Sequence, residues 1–420
     1  MTSPQYASEI RAPGKHRLLL AGSGSSLRSH EVLHGPVTRY PTARRGHVGH
    51  FIAPIEDSGL RGRGGGWFAA GTKMRAVAES AAARRKAPVV VANGMEGEPR
   101  SHKDAVLLQR SPHLVLDGIA LAAATVGATA TYLAIHEGSP VYRTVATAIS
   151  ERRNAGVDPV PVELVVLPPR YVASQESALV QGVMGQVAIP AWGKRPFEQG
   201  SFGRPSLVQN VETLAHMALI SRHGADWFRA AGTRDAPGTT LVTVGGAVQA
   251  PGVVEVDTGT TVSEIVSRAG GASSRVQAFL TGGYGGAFAS ASFADARWSP
   301  ELVASAGGVV GAGVLVAIPA SACGLLETSQ IVTWMAAESA GQCGPCRFGL
   351  SAIATDFELL AAGQADPHLI DRLHSRLGVI PGRGACRHPD GVVRLAASAL
   401  TVFAADVGMH LRGHCNRSAT

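Results

Sequence analysis

Gly59-Leu60-Arg61-Gly62-Arg63-Gly64-Gly65-Gly66-Trp67-Phe68, followed by an alanine-rich stretch from Ala69 to Lys86 and the short run Pro88 to Ala92, decides the fold class. The alanine-rich stretch carries its basic residues at the far end and reads as a helix. The β-branched run after it reads as a buried strand. Ser111-Pro112 opens another helix, with proline in the first turn, and the apolar series Leu114, Leu116, Ile119, Leu121 carries it to Gly127. Ala130 to Ile135 returns to strand character. Strand and helix alternation with a glycine loop at one junction predicts a layered α/β domain.

The loop itself has chemistry. Four of the five residues Gly62 to Gly66 are glycine, with Arg61 and Arg63 interleaved. Bare glycines let backbone N–H groups close on phosphate oxygens, and a following helix presents its positive end. The arginines and Lys73 add charge, so the loop points to a phosphate-bearing cofactor rather than a flexible surface turn. Asn93-Gly94-Met95-Glu96-Gly97-Glu98-Pro99 follows the first strand. Ligands of layered α/β folds bind just past the carboxyl ends of strands. Asn93 can donate to and accept from a planar ring edge, and Glu96 and Glu98 can bond ribose or amide groups. Tyr171 to Leu179 sets polar residues, Glu176 among them, at a helix start. Lys194-Arg195-Pro196-Phe197 forms a basic loop tipped by an aromatic ring, and Phe68 and Phe197 could clamp a planar group.

Bulk composition narrows the class. A chain of 420 residues predicts two to four domains, and 45% hydrophobic content supports large cores. Thirty-eight Lys and Arg against 31 Asp and Glu give a net charge of +7, and aromatics are 5%. That excess is thin, and so few rings leave little for base stacking, which argues against nucleic acid. It suits an acidic electron-transfer partner or a phosphate-bearing cofactor. Few cysteines, two of them in a CxxC, indicate a reducing, cytoplasmic compartment. The N-terminus lacks the apolar core of a signal peptide. Leu302 to Leu326 carries no charge, but Gly307, Gly308, Gly311, Gly313 and Pro319 interrupt it. It reads as two buried strands and a turn, with no membrane insertion.

Residues 1–45, with a short apolar stretch at Leu18 to Ala21, read as a loosely structured lead-in, and residues 46–234 as the α/β domain. From 235 the texture changes. Thr240 to Val244 and Gly252 to Val256 read as strands, and Thr261 caps a short helix with Glu264 three residues on. Residues 235–326 therefore read as a small β-grasp module. Residues 327–420 are helical, in segments Glu327 to Ser339, Phe348 to Ala362, Asp366 to Leu377 and Val392 to Leu411. Cys343 and Cys346 sit between the first two of these, in Gln342-Cys343-Gly344-Pro345-Cys346-Arg347, and Cys386 precedes the last. Two thiolates spaced by a Gly-Pro turn can grip one metal centre, and a distant third can close the cage. A cube-type iron–sulfur cluster wants four thiolates, and the fourth is missing.

Taken together, Gly59 to Lys73, Asn93 to Asp104, Tyr171 to Leu179, Asn210 to Ala215, and Cys343 to Arg347 with Cys386 resemble one family. It is the NADH-binding flavoprotein subunit of respiratory complex I, shared with NAD-reducing hydrogenases and NAD-linked formate dehydrogenases. The resemblance covers about residues 50 to 410, with the motifs in the family's order. It implies a Rossmann-like FMN domain, a ubiquitin-like β-grasp (SLBB) module and a helical bundle holding a [4Fe–4S] cluster. By position, Gly62, Arg63, Gly64, Gly65 and Lys73 would hold the FMN phosphate and ribityl chain. Asn93, Glu96 and Asn210 would line the flavin. Phe68, Glu98, Tyr171, Glu176, Lys194 and Phe197 would form the rest of the flavin and NADH site, with Glu98 and Glu176 as its catalytic carboxylates. Cys343, Cys346 and Cys386 would be the metal ligands.

The resemblance implies FMN-dependent NADH oxidation, with electrons leaving through the cluster to a ferredoxin-like or other iron–sulfur subunit, in the cytoplasm or docked on a membrane complex. Departures shape the expectation. Ala340 stands where the family has its first cluster cysteine. The centre is then a three-iron form, or is completed by Ser339, Cys415, water or a partner group, or is absent. Met95 and Gln175 each replace a family carboxylate, Gln209 an asparagine and Ala76 an aromatic. The alternative expectation is a scaffold or relay subunit that has lost NADH oxidation or the cluster.

Overall fold

The computed structural model describes residues 17–20, 24–40, 49–193 and 195–415. Its first layer is a parallel sheet of β1 (Val89–Asn93), β2 (Ala130–His136), β3 (Val162–Leu167) and β4 (Ser206–Asn210), in the order β3-β2-β1-β4. Val89 to Ala92 are fully buried, because β1 is central and covered on both faces. The helix Pro112–Val126 packs beneath it and ends on Gly127 in the left-handed conformation. It meets the helix Val211–His223 at Gly118, where a Cβ would lie 2.1 Å from the Leu214 carbonyl oxygen.

The chain builds β1, β2 and β3 outward in one direction, then returns to place β4 on the other side of β1. A crevice opens where the strand order reverses, beyond the carboxyl ends of β1 and β4. Asn93 and Asn210 are register partners at that point.

A second, mixed sheet follows: β5 (Thr239–Gly246), β6 (Gly252–Asp257), β7 (Val276–Thr281), β8 (Ala287–Ser290) and β9 (Val314–Pro319), in the order β6-β5-β9-β7-β8. The helix Val262–Arg268 crosses it, and the Thr261 side chain accepts from Glu264 N–H as its cap. One face of this sheet forms its own core around Trp298 and Phe279. The other packs on the C-terminal helices, with the Phe288 and Phe403 rings 4.9 Å apart. The molecule is thus a mixed α/β fold with a β-grasp module and a helical C-terminal region.

Three local expectations need correction. The uncharged stretch Leu302 to Leu326 holds one strand, β9, not two. It also contains the end of the helix Pro300–Ser305, a loop with Gly311 and Gly313 at positive φ, and the start of the helix Gly324–Ala337. The expected single helix Val392 to Leu411 is two, His388–Val402 and Ala404–His410, bent by 81°. Phe403 stands at the break, packed so closely that a Cβ on Gly324 would lie 2.2 Å from its ring. Within the presumed lead-in, Leu18 and Leu19 are buried, and their backbone N–H groups donate to the Glu255 carboxylate on β6. Ala21 lies outside the described residues. Among the described residues no single helix is long and apolar enough to cross a membrane, and the bent pair lies against the C-terminal core.

Candidate functional site

A cavity of about 440 Å³ opens at the strand-order reversal. Gly64, Gly65 and Gly66 form one edge, Asn93 and Asn210 the floor, and Gly282 and Gly285 of the second sheet a further wall. Cys386, His388 and Arg394 close it from the helical region. Three regions of the chain therefore meet around one space.

The glycine loop is held as a rigid rim. Gly62 N–H donates to Phe68 C=O and Ala70 N–H to Leu60 C=O, so the loop is pinched at its base. Gly65 has φ +103°, and a Cβ on Gly64 would sit 3.1 Å from Asn210 Cβ. The first backbone conformation favours glycine, and at the second a side chain would crowd Asn210. Arg63 borders the cavity, but its guanidinium serves the structure. It donates to Pro237 and Thr239 C=O at 3.2 and 3.1 Å and stacks on Trp67. Burial lowers its pKa to about 10. The expected phosphate-binding arginine is thus a clasp between the first sheet and the second.

The two loop glutamates are likewise anchored. Glu96, with φ +41°, accepts from Asp104 N–H, Ala105 N–H and the Ser101 hydroxyl, and so fixes the start of the helix Lys103–Arg110. Glu98 accepts from Arg100 N–H and, across to the β7–β8 turn, from Tyr284 N–H. Both border the cavity. Burial pushes each up to about 7, and the neighbouring Asp104 charge adds to the rise at Glu96. Tyr171 donates its backbone N–H to Glu338, and its ring meets Trp334 and His388. A Cβ on Gly285 would come within 2.7 Å of its hydroxyl.

Gly62, Phe68, Lys73, Glu176 and Phe197 are not part of the cavity wall. Lys73 pairs with Glu176 at 2.9 Å, next to the wall residue Gln175. Phe68 is 60% exposed, and Phe197 rests against the core of the first sheet. Lys194 lies outside the described residues.

Sequence reasoning missed Lys103, which borders the cavity yet is only 2% exposed. Its ammonium lies 2.6 Å from Asp104 and 2.9 Å from Glu212. Burial opposes its charge, but the two carboxylates prevail and raise its pKa above the ordinary lysine value. It also missed Gly282-Gly283-Tyr284-Gly285-Gly286, as dense in glycine as the loop it singled out.

Pro345–Gly349 is a single π-type turn that leads into the helix Leu350–Ala361. Cys346 is buried there, and Cys343 and Cys386 are half-buried. Burial, then the neighbouring Cys343 and Cys386 sulfurs, push Cys346 up to about 12. Cys343 acts in the same direction on Cys386. Ala340 offers no donor. Cys415, one expected fourth ligand, gathers instead with Cys323 and His410.

The residues fit the two groups that the resemblance implies. The glycine rim, the paired asparagines and the 440 Å³ volume suit a flavin nucleotide. His388 Nδ1 is buried at the cavity without a hydrogen-bond partner. The thiol set suits an iron–sulfur centre with three protein sulfurs.

Comparison with known proteins agrees. Residues 55–219 match the Nuo51 FMN-binding domain, 241–286 the SLBB domain, and 327–410 the NADH-ubiquinone oxidoreductase-F iron-sulfur binding region. The F-type subunit of NADH-quinone oxidoreductase from Mycobacterium tuberculosis is 31% identical over 377 residues, covering 86% of this chain and 84% of that protein. The chain belongs to this F-type family. The Escherichia coli member is 29% identical over 384 residues, covering 87% and 86%. The crystal structure of an NAD+-reducing [NiFe]-hydrogenase in the H2-reduced state superposes with a TM-score of 0.80 at 29% identity. The match covers 87% of this chain, which spans 63% of that one. An FMN domain and a 4Fe–4S region in one chain of this family support NADH oxidation with iron–sulfur electron transfer, as in a diaphorase-type protein.

Proposed function

We propose that the cavity between Gly64 and Cys386 is where NADH is oxidised, and that electrons leave through the Cys343, Cys346 and Cys386 centre to an iron–sulfur partner subunit in the cytoplasm. The observation that carries this reading is Cys386, which lines the cavity and interacts electrostatically with Cys343 and Cys346. A flavin bound there would accept hydride and return electrons singly. The chain's own part is placement. Gly64 to Gly66 offer backbone donors, Asn93 and Asn210, whose amides bond Ser174 C=O and the Asp104 carboxylate, set the floor beneath the ring, and the Lys73–Glu176 pair stands behind the wall residue Gln175.

Purification without oxygen, with spectra and iron counted before and after NADH, tests this. A flavin band that bleaches, with iron present, supports it. Flavin that does not bleach, with no iron, supports the scaffold reading, which Ala340 favours because it removes a ligand.

Two substitutions refine the assignment. Lys73→Ala lowers flavin content. Unchanged flavin with a raised KM for NADH would move Lys73 from cofactor to dinucleotide. With a pKa of about 7, Glu98 gains charge across neutral pH inside the cavity. The NADH-dependent rate therefore inflects near pH 7, and Glu98→Gln removes the inflection. An inflection that survives would assign it to Glu96. For stability the sign is fixed: a folded pKa above the ordinary value of about 4.3 favours the folded state at low pH, and this contribution is lost as pH rises through about 7.

A further inference from the structure

A second cluster of metal-ligating side chains lies apart from the flavin cavity. Cys323 precedes the helix Gly324–Ala337, His410 ends the helix Ala404–His410, and Cys415 lies on the tail beyond it. Cys323 and His410 are each 1% exposed, whereas Cys415 is exposed. Their donor atoms all lie within 4.8 Å of one another, and Cys323 Sγ is 3.2 Å from His410 Nε2.

Two arrangements could explain the cluster, a thiol–imidazole hydrogen bond or a metal site. The imidazole's other nitrogen shows that the ring is set for the second. His410 Nδ1 lies 3.2 Å from the Leu360 carbonyl oxygen. A carbonyl can only accept, so Nδ1 carries the proton and Nε2 turns its lone pair toward Cys323. Metal-binding histidines are oriented by such a second hydrogen bond. The Cys415 side chain also reaches Cys323, so the third donor joins the same point. Tetrahedral zinc with bonds of about 2.3 Å to sulfur and about 2.0 Å to nitrogen sets its ligand atoms roughly 3.5–3.8 Å apart. The three atoms lie close to that spacing already, so small side-chain shifts bring them to it.

We propose that Cys323, His410 and Cys415 bind a single zinc ion, with water in the fourth position. Two thiolates and an imidazole suit zinc among the divalent metals, and hard cations such as magnesium or calcium are excluded. Donors that converge on one point suit one ion rather than a cube whose cysteines bind separate irons. The ion fastens the tail to both ends of the helical region, joining the start of the helix Gly324–Ala337 to the end of Ala404–His410. It takes no part in the flavin reaction, and the inference stands whether or not NADH is oxidised.

The test uses the full chain expressed in zinc-supplemented medium, dialysed, and measured for zinc, iron and flavin. About one zinc per chain is expected. Cys415→Ser, an exposed change that leaves the core intact, lowers zinc at least tenfold with iron and flavin unchanged. Cys343→Ser leaves the zinc in place. Cobalt exchanged for zinc gives a thiolate-to-cobalt charge-transfer band that Cys415→Ser weakens. Three results would overturn the site: wild-type protein without zinc, zinc retained in both Cys415→Ser and Cys323→Ser, or zinc lost with Cys343→Ser. The last would place the ion among the other cysteines.

Discussion

Cys346→Ser leaves the purified protein with less than about a tenth of the wild-type iron, because loss of a direct ligand exceeds the 10–100-fold loss typical of changes to the groups that merely orient ligands. The margin is narrow here for a reason visible in the chain. A site that begins with four thiolates can lose one and keep three. With Ala340 in the first position, the cluster starts with three, and one further loss leaves two. Cys346 is also the most enclosed of the three, 5% exposed and part of the C-terminal core. A serine hydroxyl there would itself cost about 1–3 kcal/mol if left without a partner. Cys346→Ala separates the two effects, since a small apolar side chain suits that core but cannot bind iron. Both variants should lose iron and keep flavin, which is held from the other side of the cavity. Iron retained in both would make Cys346 a core residue and return the centre to other ligands.

The layered architecture was legible where one region of sequence is sufficient for its own structure. Val89 to Ala92 is buried on both faces and reads as such, and Pro112 and Gly127 bracket a helix by their backbone chemistry alone. Legibility failed where a distant segment decides. Leu18 and Leu19 form a weak apolar signal, and they are ordered by a carboxylate 237 positions from Leu18. The break at Phe403 carries neither glycine nor proline. It is made by packing against Gly324 and Phe288. The site divides in the same way. Gly64, Gly65, Asn93 and Asn210 announce themselves by residue type and position. Arg63 looked like a phosphate ligand because nothing local shows that its guanidinium is taken by the carbonyls of Pro237 and Thr239. Glu96 and Glu98 looked like free carboxylates, although each is held by backbone donors.

Lys103 was hidden for the same reason, since a lysine in the first turn of a helix normally reads as solvated. Lys103→Met destabilises the fold by about 3–5 kcal/mol, the cost of breaking a buried pair from one side. The methionine matches the lysine stem in volume, so packing is nearly conserved and the effect is electrostatic. Asp104 and Glu212 are left as buried carboxylates, 4% and 0% exposed. Glu212 keeps Thr240 Oγ1 and Leu241 N–H, but its remaining cation is Arg63, at 3.9 Å. Asp104 keeps Asn210 Nδ2 and has lost its charge partner. Two charges are then left out of water without the cation that offsets them. The variant should therefore unfold at a lower denaturant midpoint than wild type at neutral pH. Flavin content falls as well, because Asn210 is positioned by the same group of charges. Denaturant midpoints measure the first effect and absorbance the second. The double variant Lys103→Met with Glu212→Gln removes one stranded charge and should recover part of the loss. Equal stability of Lys103→Met and wild type would show that the carboxylates do not depend on this cation.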